Sequence, residues 1–584
     1  MNNRNYLYCI LLVFGLNFIL NLRDTYSLKF NKEQDLPEEL NESFILLTDR
    51  NIYAVNENIY FKAFNNSHPL IIEKNWSKIF YVELVNNSGN AVYKGKFRIS
   101  ESGADGIIKI PENLLTGNYY LIGYTKWMRN FSPLKYAYLK IKVINPYNTT
   151  LQGMAQILSD TINYDNSYKL NFDNNKILCK TNESVYGIRK KVNVTLQFPD
   201  SRNLKTNNYC LSVIKSNAID QENFGIINSG IEYYDYTDNN LFLPELNNIS
   251  ISGTVIYKDN KTPVEYANIQ LSVLGDNFNF FNYKTSDDGK FLFSLQPCYT
   301  KIEMFITCVD NYQSPVEIHI DNDFSAKSVR FNNIPFCLSE EEQILAEEVM
   351  FNMQVNKLYT FNDSVSSDNK QKDTASLNFY GPAHSSTYLK KYIELPTLEE
   401  VFIELVPDVI VLKRKGESFL QVQGKIKYHP DFSNFKPLIL LDQIPVYNVN
   451  ELLSISPSLI DHIEVVNEIY IKGETKYGGI VSIYSKKGDI AGLKLPENSM
   501  FLNFTGPVPQ QKYEFPEYNK PGEKTNIPDF RNCLYWDPNI TAAPGSQQNI
   551  EFYTSDVTGE YLILIRGINE EGKLITGNTT FLVK

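Results

Sequence analysis

The sequence is poor in the residues that build catalytic and metal centres. It contains five His, seven Cys and three Trp among 584 residues. It has no H-E-x-x-H, G-x-S-x-G, phosphate-cradling or dinucleotide-binding glycine motif, and no Cys/His group with zinc spacing. We therefore predict no catalytic residue, no metal site and no cofactor, and we expect the protein not to be an enzyme.

Basic charge is also scarce. The formal net charge is −11, and basic runs are as short as Lys413-Arg414-Lys415. A protein that binds the phosphates of nucleic acids needs a basic face to displace their counterions. We therefore expect no nucleic-acid partner.

Long apolar runs are missing after the N-terminus. A single positive charge precedes an apolar stretch from Leu7 to Leu22, and Thr25 and Ser27 supply small residues beyond it. This pattern is typical of a secretory signal peptide over residues 1–27, with an uncleaved N-terminal anchor as the alternative. Since no later stretch predicts a spanning helix, we expect membrane association through a partner.

Aromatic residues, by contrast, are abundant, with 39 Tyr and 35 Phe. They favour strands, and short alternating runs broken by turn residues are typical of β-sandwiches. The length predicts several domains. We predict a mainly β, multidomain fold with sandwiches over 40–146, 150–247, 248–322 and 498–584, a helix over 338–358, a linker over 359–390 and a small α/β domain over 391–490.

Two turn signals predict hairpins. The first is Asn86–Asn90, which separates two alternating runs, and the second is Asp287-Asp288-Gly289, whose Gly can take a positive φ. Acidic residues after Ser339 and Thr397 predict that these two residues cap helices.

Six Cys remain once the signal segment is removed. An even number in an oxidising compartment permits disulfides. Cys298 and Cys308 close a short loop between two strand-like runs, so they are the candidate disulfide. Buried free thiols are the alternative for most of the six.

The N-terminal sandwich segment resembles a known family. Its Thr48–Tyr53 run, followed by Phe61-Lys62 and by Gly117-Asn118-Tyr119, resembles the opening and closing strands of macroglobulin-type domains. Tyr535-Trp536-Asp537-Pro538 resembles a later segment of the same family. That family's reactive G-C-G-E-Q run is absent, so the resemblance does not extend to covalent trapping of proteases.

Residues 248–322 resemble the carboxypeptidase-regulatory-like domain, a transthyretin-type sandwich. The matching positions are Gly253 and Val255, then Pro263 and Ala267, and then the turn that ends at Gly289. Despite its name, this module implies no peptidase site.

Residues 436–488 resemble the plug domain of TonB-dependent outer-membrane transporters. The resemblance lies in Pro437–Pro445, Ile463-Glu464-Val465 and the Tyr477–Ser485 run. Gln443 replaces the family's Gly, and the glycine stretch is shortened. The chain after Lys487 is too short to form the barrel of such a transporter. The resemblance implies a binding role for Asp442, Gln443, Pro445, Tyr477, Gly478 and Gly479.

This combination of domains resembles envelope proteins of Bacteroidetes. It implies a non-enzymatic binding or scaffold protein in the periplasm or at the outer membrane. The plug-like domain would dock an outer-membrane or periplasmic protein, with a link to transport. The alternative is a macroglobulin-like protein that binds or inhibits proteases without covalent capture.

Overall fold

The structure is a computed structural model, and the residues it describes fall in fifteen ranges. The predicted signal segment, Cys298, His68 and His429 lie outside them. The described residues are 37, 40–67, 76–152, 176–200, 208–222, 224–227, 230–234, 241–295, 301–309, 314–332, 334–360, 378–424, 434–518, 527–569 and 572–584.

Strands dominate these residues, which confirms the predicted mainly β, multidomain fold. In the N-terminal part the strands are β1 (Phe44–Thr48), β2 (Ile52–Ala54), β3 (Asn58–Asn65), β4 (Ile79–Asn86), β5 (Ala91–Ser100), β6 (Gly103–Lys109), β7 (Gly117–Tyr124) and β8 (Ala137–Ile144). Those that follow are β9 (Leu178–Thr181), β10 (Val185–Tyr186), β11 (Lys191–Gln197), β12 (Asn208–Lys215), β13 (Ile231–Tyr234), β14 (Ser250–Tyr257), β15 (Asn268–Val273), β16 (Asn279–Lys284), β17 (Lys290–Ser294), β18 (Lys301–Cys308), β19 (Val316–Ile320) and β20 (Ser328–Phe331).

The C-terminal part adds twelve strands and all three α-helices. The strands are β21 (Ser385–Tyr388), β22 (Val409–Arg414), β23 (Glu417–Val422), β24 (Leu438–Leu441), β25 (Ile444–Pro445), β26 (Ile460–Lys472), β27 (Thr475–Ser485), β28 (Ser499–Thr505), β29 (Cys533–Thr541), β30 (Gln547–Tyr553), β31 (Gly559–Ile568) and β32 (Leu574–Val583). The α-helices in the described part of the chain are α1 (Glu340–Thr360), α2 (Leu398–Leu405) and α3 (Val449–Leu453).

Strands β1–β8 form the first sandwich, in the order β1-β3-β6-β5-β4-β7-β8-β2. β5 joins the two layers because it pairs with β4 along most of its length and with β6 only at Ile99 and Ser100. The turn at Asn86–Asn90 connects β4 to β5, with Gly89 at a φ of 81°. The first predicted hairpin is therefore confirmed.

The next sandwich is assembled from two distant parts of the chain, and we call it the split sandwich. One layer has the order β10-β32-β31-β12-β29 and the other the order β30-β11-β9. The prediction of separate sandwiches over 150–247 and 498–584 is thus wrong. Alternation along a strand reveals which of its faces is buried, but it does not reveal which strand pairs with it.

The five-stranded layer of the split sandwich is buried on both faces. In β31, Ile563 and Ile565 belong to the core between its own layers, whereas Leu562 and Leu564 belong to a second core that includes the first sandwich and α1. A strand buried on both sides reads as a continuous apolar run rather than an alternating one. The run Leu562–Ile565 is therefore the sequence signature of a sheet that touches two cores.

The third sandwich has layers β17-β14-β19 and β16-β15-β18-β28. The turn that ends at Gly289, with a φ of 71°, connects β16 in one layer to β17 in the other. The second predicted hairpin is therefore wrong, since the turn is tight but its flanking strands separate. β28 lies within the range assigned to the C-terminal sandwich, yet it pairs with β18 of this one.

Helix α1 follows a two-stranded ribbon of β13 and β20. Its N-terminus is closed by a capping box: Glu342 donates its backbone N–H to Ser339 Oγ, and Ser339 donates its own to Glu342 Oε2. Lys142 of the first sandwich forms an ion pair with Glu342 at 2.6 Å. The predicted cap at Ser339 is therefore confirmed.

Residues 378–424 and 434–493 form an α/β unit. Its sheet has the order β21-β26-β27-β24-β25, with β24 parallel to β27, and β22 pairs with β23 as a separate hairpin. Thr397 caps α2 by accepting the Glu400 N–H. Gly478 and Gly479, the shortened glycine stretch of the plug-like motif, lie inside the long strand β27 and form no turn.

The split sandwich generates the first testable prediction. Ile565 is fully buried opposite Leu211 of β12. Ile565→Ala should lower the free energy of unfolding by about 2–4 kcal/mol. Because the two halves of the split sandwich share one core, both should become more exposed together. Limited proteolysis with mass spectrometry should find new cuts within residues 176–215 as well as 527–584. New cuts confined to the C-terminal half would contradict the shared fold.

Candidate functional site

The α/β unit carries all six candidate binding residues, and its sheet is covered on both faces. On one face, α2 and α3 bury Val401, Phe402 and Leu452 against the sheet. On the other face, Phe280 of β16 packs on the sheet near Tyr477. The third sandwich thus packs on this second face, and the α/β unit contacts the rest of the chain through its sheet.

Asp442 accepts three hydrogen bonds at the end of the sheet. Its Oδ1 accepts the Ser485 N–H at 2.7 Å, and its Oδ2 accepts the Ser485 hydroxyl at 2.6 Å and the Ile490 N–H at 2.8 Å. A carboxylate with three such donors is held in one position. Asp442 therefore ties the β24–β25 turn to the end of β27.

Gln443 joins the α/β unit to the third sandwich. Asp442 and Gln443 both have positive φ, at 47° and 70°, as a two-residue hairpin turn requires. The Gln443 amide accepts the Gly275 N–H at 2.7 Å and donates to the Gly275 carbonyl at 3.1 Å. A residue with a side chain therefore occupies a position that favours Gly, and its side chain makes an interdomain clamp.

The other candidate residues are also used inside the chain. Pro445 is buried, and burial raises the pKa of Tyr477 to about 12. Gly479 has a φ of 92°, and a Cβ there would lie 2.7 Å from the Val466 carbonyl oxygen. Gly478 donates its N–H to the Lys436 carbonyl. These positions therefore stabilise the sheet and its contact with the third sandwich.

One end of the sheet carries a stack that sequence reasoning missed. His462 lies between Tyr388 and Tyr484, with ring centroids 4.8 and 4.4 Å away. Its Nδ1 lies 2.8 Å from Asp461 Oδ2, and its Nε2 lies 3.9 Å from Glu464. His462 and Glu464 lie two residues apart in β26, so their side chains share one face of the sheet. The two tyrosines come from neighbouring strands whose pairing the sequence does not show.

Beside this stack lies the most exposed apolar surface of the unit. β21 is an edge strand of the sheet. Lys390 and Lys391 follow it, and then come Tyr392 and Ile393, which are 50% and 89% exposed. An edge strand offers backbone hydrogen-bonding groups to another chain, and exposed apolar side chains next to it add contact area.

A second polar cluster lies at the start of the macroglobulin-like run, where it stabilises a loop of the first sandwich. Asp49 Oδ1 accepts the Tyr53 hydroxyl at 2.7 Å and the Tyr60 N–H at 3.1 Å. Arg50 pairs with Glu57 at 2.9 Å and lies 3.4 Å from Asp49. The geometry of this loop is thus fixed by charge-assisted hydrogen bonds between largely buried groups.

The same loop contacts the split sandwich. Arg566 donates to the Thr48 carbonyl at 2.7 Å, and Asn532 donates to Glu57 at 2.6 Å. Lys62 of the adjacent strand donates to Asn539 at 2.8 Å. The motif that resembles the macroglobulin family therefore links the first sandwich to the split sandwich by hydrogen bonds.

Burial shifts the proton affinity of two groups in this cluster. It raises the pKa of Asp49 from 3.8 to about 6, although Arg50 opposes the shift. It lowers the pKa of Lys62 from 10.5 to about 8, although Asp105 opposes that shift. Both charged forms are thus disfavoured by loss of hydration.

The described cysteines do not test the candidate disulfide, because Cys298 lies outside the described residues. Cys308 is buried at the end of β18. Cys179, Cys210 and Cys533 are buried free thiols, and Cys337 is exposed. Burial raises the pKa of Cys179 to about 12, so this thiol stays protonated.

A cavity of about 590 Å³ lies where the first sandwich, the segment after β12 and the start of α1 meet. Lys140, Asn217 and Asp220 contribute to its mixed polar lining, and the Lys142–Glu342 ion pair lies at its edge. No three His, Cys, Asp or Glu side chains are grouped to hold a metal ion in the ranges that the structure describes. Within those ranges, no helix is long and apolar enough to cross a membrane.

The fold defines a multidomain β-sandwich protein with an inserted α/β unit. No protein-family model and no curated protein matches the chain. Salmonella α-2-macroglobulin reacted with methylamine is 7% identical, over 93% of this chain and 39% of that one, with a TM-score of 0.22. Escherichia coli α-2-macroglobulin activated by porcine elastase is 7% identical, over 93% and 44%, with a TM-score of 0.23.

The chain thus spans about two fifths of the length of these macroglobulins. TM-scores at this level support no conclusion about function. The domain description therefore depends on the strand pairing in this structure, and the family resemblances of the individual domains remain resemblances.

The buried carboxyl of Asp49 generates a pH prediction. Its folded-state pKa lies above the unfolded value of 3.8, so the stability that its proton contributes is complete below that value and is lost as the pH rises through about 6. Asn cannot ionise, so Asp49→Asn should gain stability relative to the wild type between about pH 4 and pH 8, by up to about 3 kcal/mol.

Urea denaturation across this range measures the difference. Asp259→Asn, in an exposed turn, is the control and should show no such trend. A difference between Asp49→Asn and the wild type that does not change with pH would contradict the prediction.

The Gln443 clamp generates a third prediction. Gln443→Gly relieves a strained φ worth about 1 kcal/mol but removes two hydrogen bonds worth about 1 kcal/mol each. We expect a net loss of stability and faster hydrogen exchange in residues 275–284. Lys415→Gly, at a φ of 51° in the exposed β22–β23 turn, is the matched control and should only stabilise. Equal stabilisation by both changes would show that the clamp contributes nothing.

Proposed function

We propose that the protein is a non-enzymatic scaffold of the bacterial cell envelope. In this proposal the sandwiches hold the α/β unit in a fixed orientation, and the unit binds an outer-membrane or periplasmic protein. The observation that carries the proposal is a sheet covered on one face by its own helices and on the other by the third sandwich, with β21 as an edge strand. The signal-like segment and the plug-like motif of the sequence support the location.

The contacts that the α/β unit makes within the chain limit where a partner could bind. Gln443 and Tyr477 face the third sandwich, and Asp442 is used within the sheet. The β21 edge, with the exposed Tyr392 and Ile393 beside it, takes no part in these contacts. We therefore assign partner binding to this edge rather than to the plug-like motif itself.

The chemistry of the edge suits a protein partner. An extended segment can add to β21 by backbone hydrogen bonds, while Tyr392 and Ile393 give it apolar contact. Lys390 and Lys391 favour acidic residues in that segment. A partner of this kind would bring the protein to the membrane without a span of its own.

Cross-linking in cells tests the proposal. A photo-reactive amino acid at Tyr392 of the full-length protein should capture an envelope protein, and Ile393→Asp should lower that yield more than about tenfold. Ile403→Asp is the matched control, because Ile403 is a 59% exposed Ile on α2 of the same unit. Capture that Ile393→Asp leaves unchanged, or capture of cytoplasmic proteins only, would contradict it.

The protease-binding alternative stays a prediction from the sequence. It requires the full-length protein to slow a broad-specificity protease at a stoichiometric ratio. An unchanged rate of substrate cleavage would remove this alternative.

A further inference from the structure

The outer face of α1 carries a line of exposed apolar side chains. Its inner face is buried through residues such as Leu345 and Val349. On the opposite face, Ile344, Phe351 and Leu358 are 68%, 56% and 74% exposed. Intervals of seven residues place side chains on one line along a helix, as at the seam of a coiled coil. Large apolar side chains grouped in this way on a surface mark an interaction site.

The three residues are equally spaced, so the stripe has the same spacing in both directions along the helix and can pair with a second copy of itself. Ile344 and Leu358 each lie seven positions from Phe351. We propose that two copies of the chain associate through α1, packed antiparallel about a two-fold axis at Phe351. Such an axis sets Phe351 against its own copy and Ile344 against Leu358 of the partner subunit, so one surface complements itself.

The polar residues between the apolar ones select the antiparallel direction. Glu347 and Gln354 are exposed on the same face. A parallel pair would set Glu347 against its own copy, and like charges at such a contact repel. An antiparallel pair sets Glu347 beside Gln354 of the partner subunit, whose amide can donate a hydrogen bond to the carboxylate.

The surroundings of the stripe widen the apolar surface. The ring of Phe530 lies 5.8 Å from the ring of Phe351. Towards the end of the helix, Tyr359 is also exposed. The centre and one end of the stripe are therefore broader than a single row of side chains, which gives a dimer more area to bury.

Sedimentation of the full-length protein over a range of concentrations tests the association. We expect a monomer–dimer equilibrium, weakened more than about tenfold by Leu358→Asp and by Ile344→Asp. Ile403→Asp on α2 introduces the same charge at another exposed helix position and should leave the dimer unchanged. Circular dichroism verifies that each variant is folded. A wild-type protein that stays monomeric at all concentrations would overturn the inference.

Disulfide cross-linking tests the direction, in a Cys337→Ser background that removes the exposed thiol among the described cysteines. Phe351→Cys should form an intersubunit disulfide on mild oxidation, whereas Ile344→Cys alone should not. A disulfide from Ile344→Cys alone would show parallel packing and overturn the model of the axis. The inference does not depend on the proposed envelope partner, because these measurements use the purified protein alone.

Discussion

The pairing of β12 with β31 and β29 is the constraint on which the whole arrangement depends. β12 lies between two strands from the other end of the chain, and its neighbours supply hydrogen bonds along both of its edges. The described residues between β12 and residue 518 are therefore inserted into one sandwich. Because the entropy of closing a loop grows only with the logarithm of its length, an insertion of this size costs little more than a short one.

This pairing also explains how the first sandwich is held. The five-stranded layer of the split sandwich faces its own core on one side and the first sandwich on the other. Across that second face, the buried Asp49–Arg50 loop and Lys62 bond to strands from the end of the chain. Buried charged groups of this kind are costly unless they are paired, so they favour one relative placement of the two domains.

Much of this architecture follows from the sequence, and the missing part has a physical cause. Alternation, turns and helix caps indicated the individual strands, the Asn86–Asn90 hairpin and the starts of α1 and α2, since all of these depend on nearby residues. Partners far apart in the chain leave no such local signal. The joining of β11 to β30, the His462 stack and the clamp from Gln443 to Gly275 therefore emerge only from the fold. Gln443 was the partial exception, because a non-glycine residue in a family glycine position marked it as unusual.

The pairing of β11 with β30 offers the most direct measurement of the split sandwich. Thr195 lies opposite Asn549, and their side chains are 3.0 Å apart. Directly paired residues of antiparallel strands have Cβ atoms about 4.5–5.5 Å apart, close to the range that a disulfide spans. The double variant Thr195→Cys/Asn549→Cys, with Cys337→Ser, should form an intrachain disulfide on mild oxidation, with the mass of a single chain. Thiols that stay free, or that join only different chains, would contradict the account.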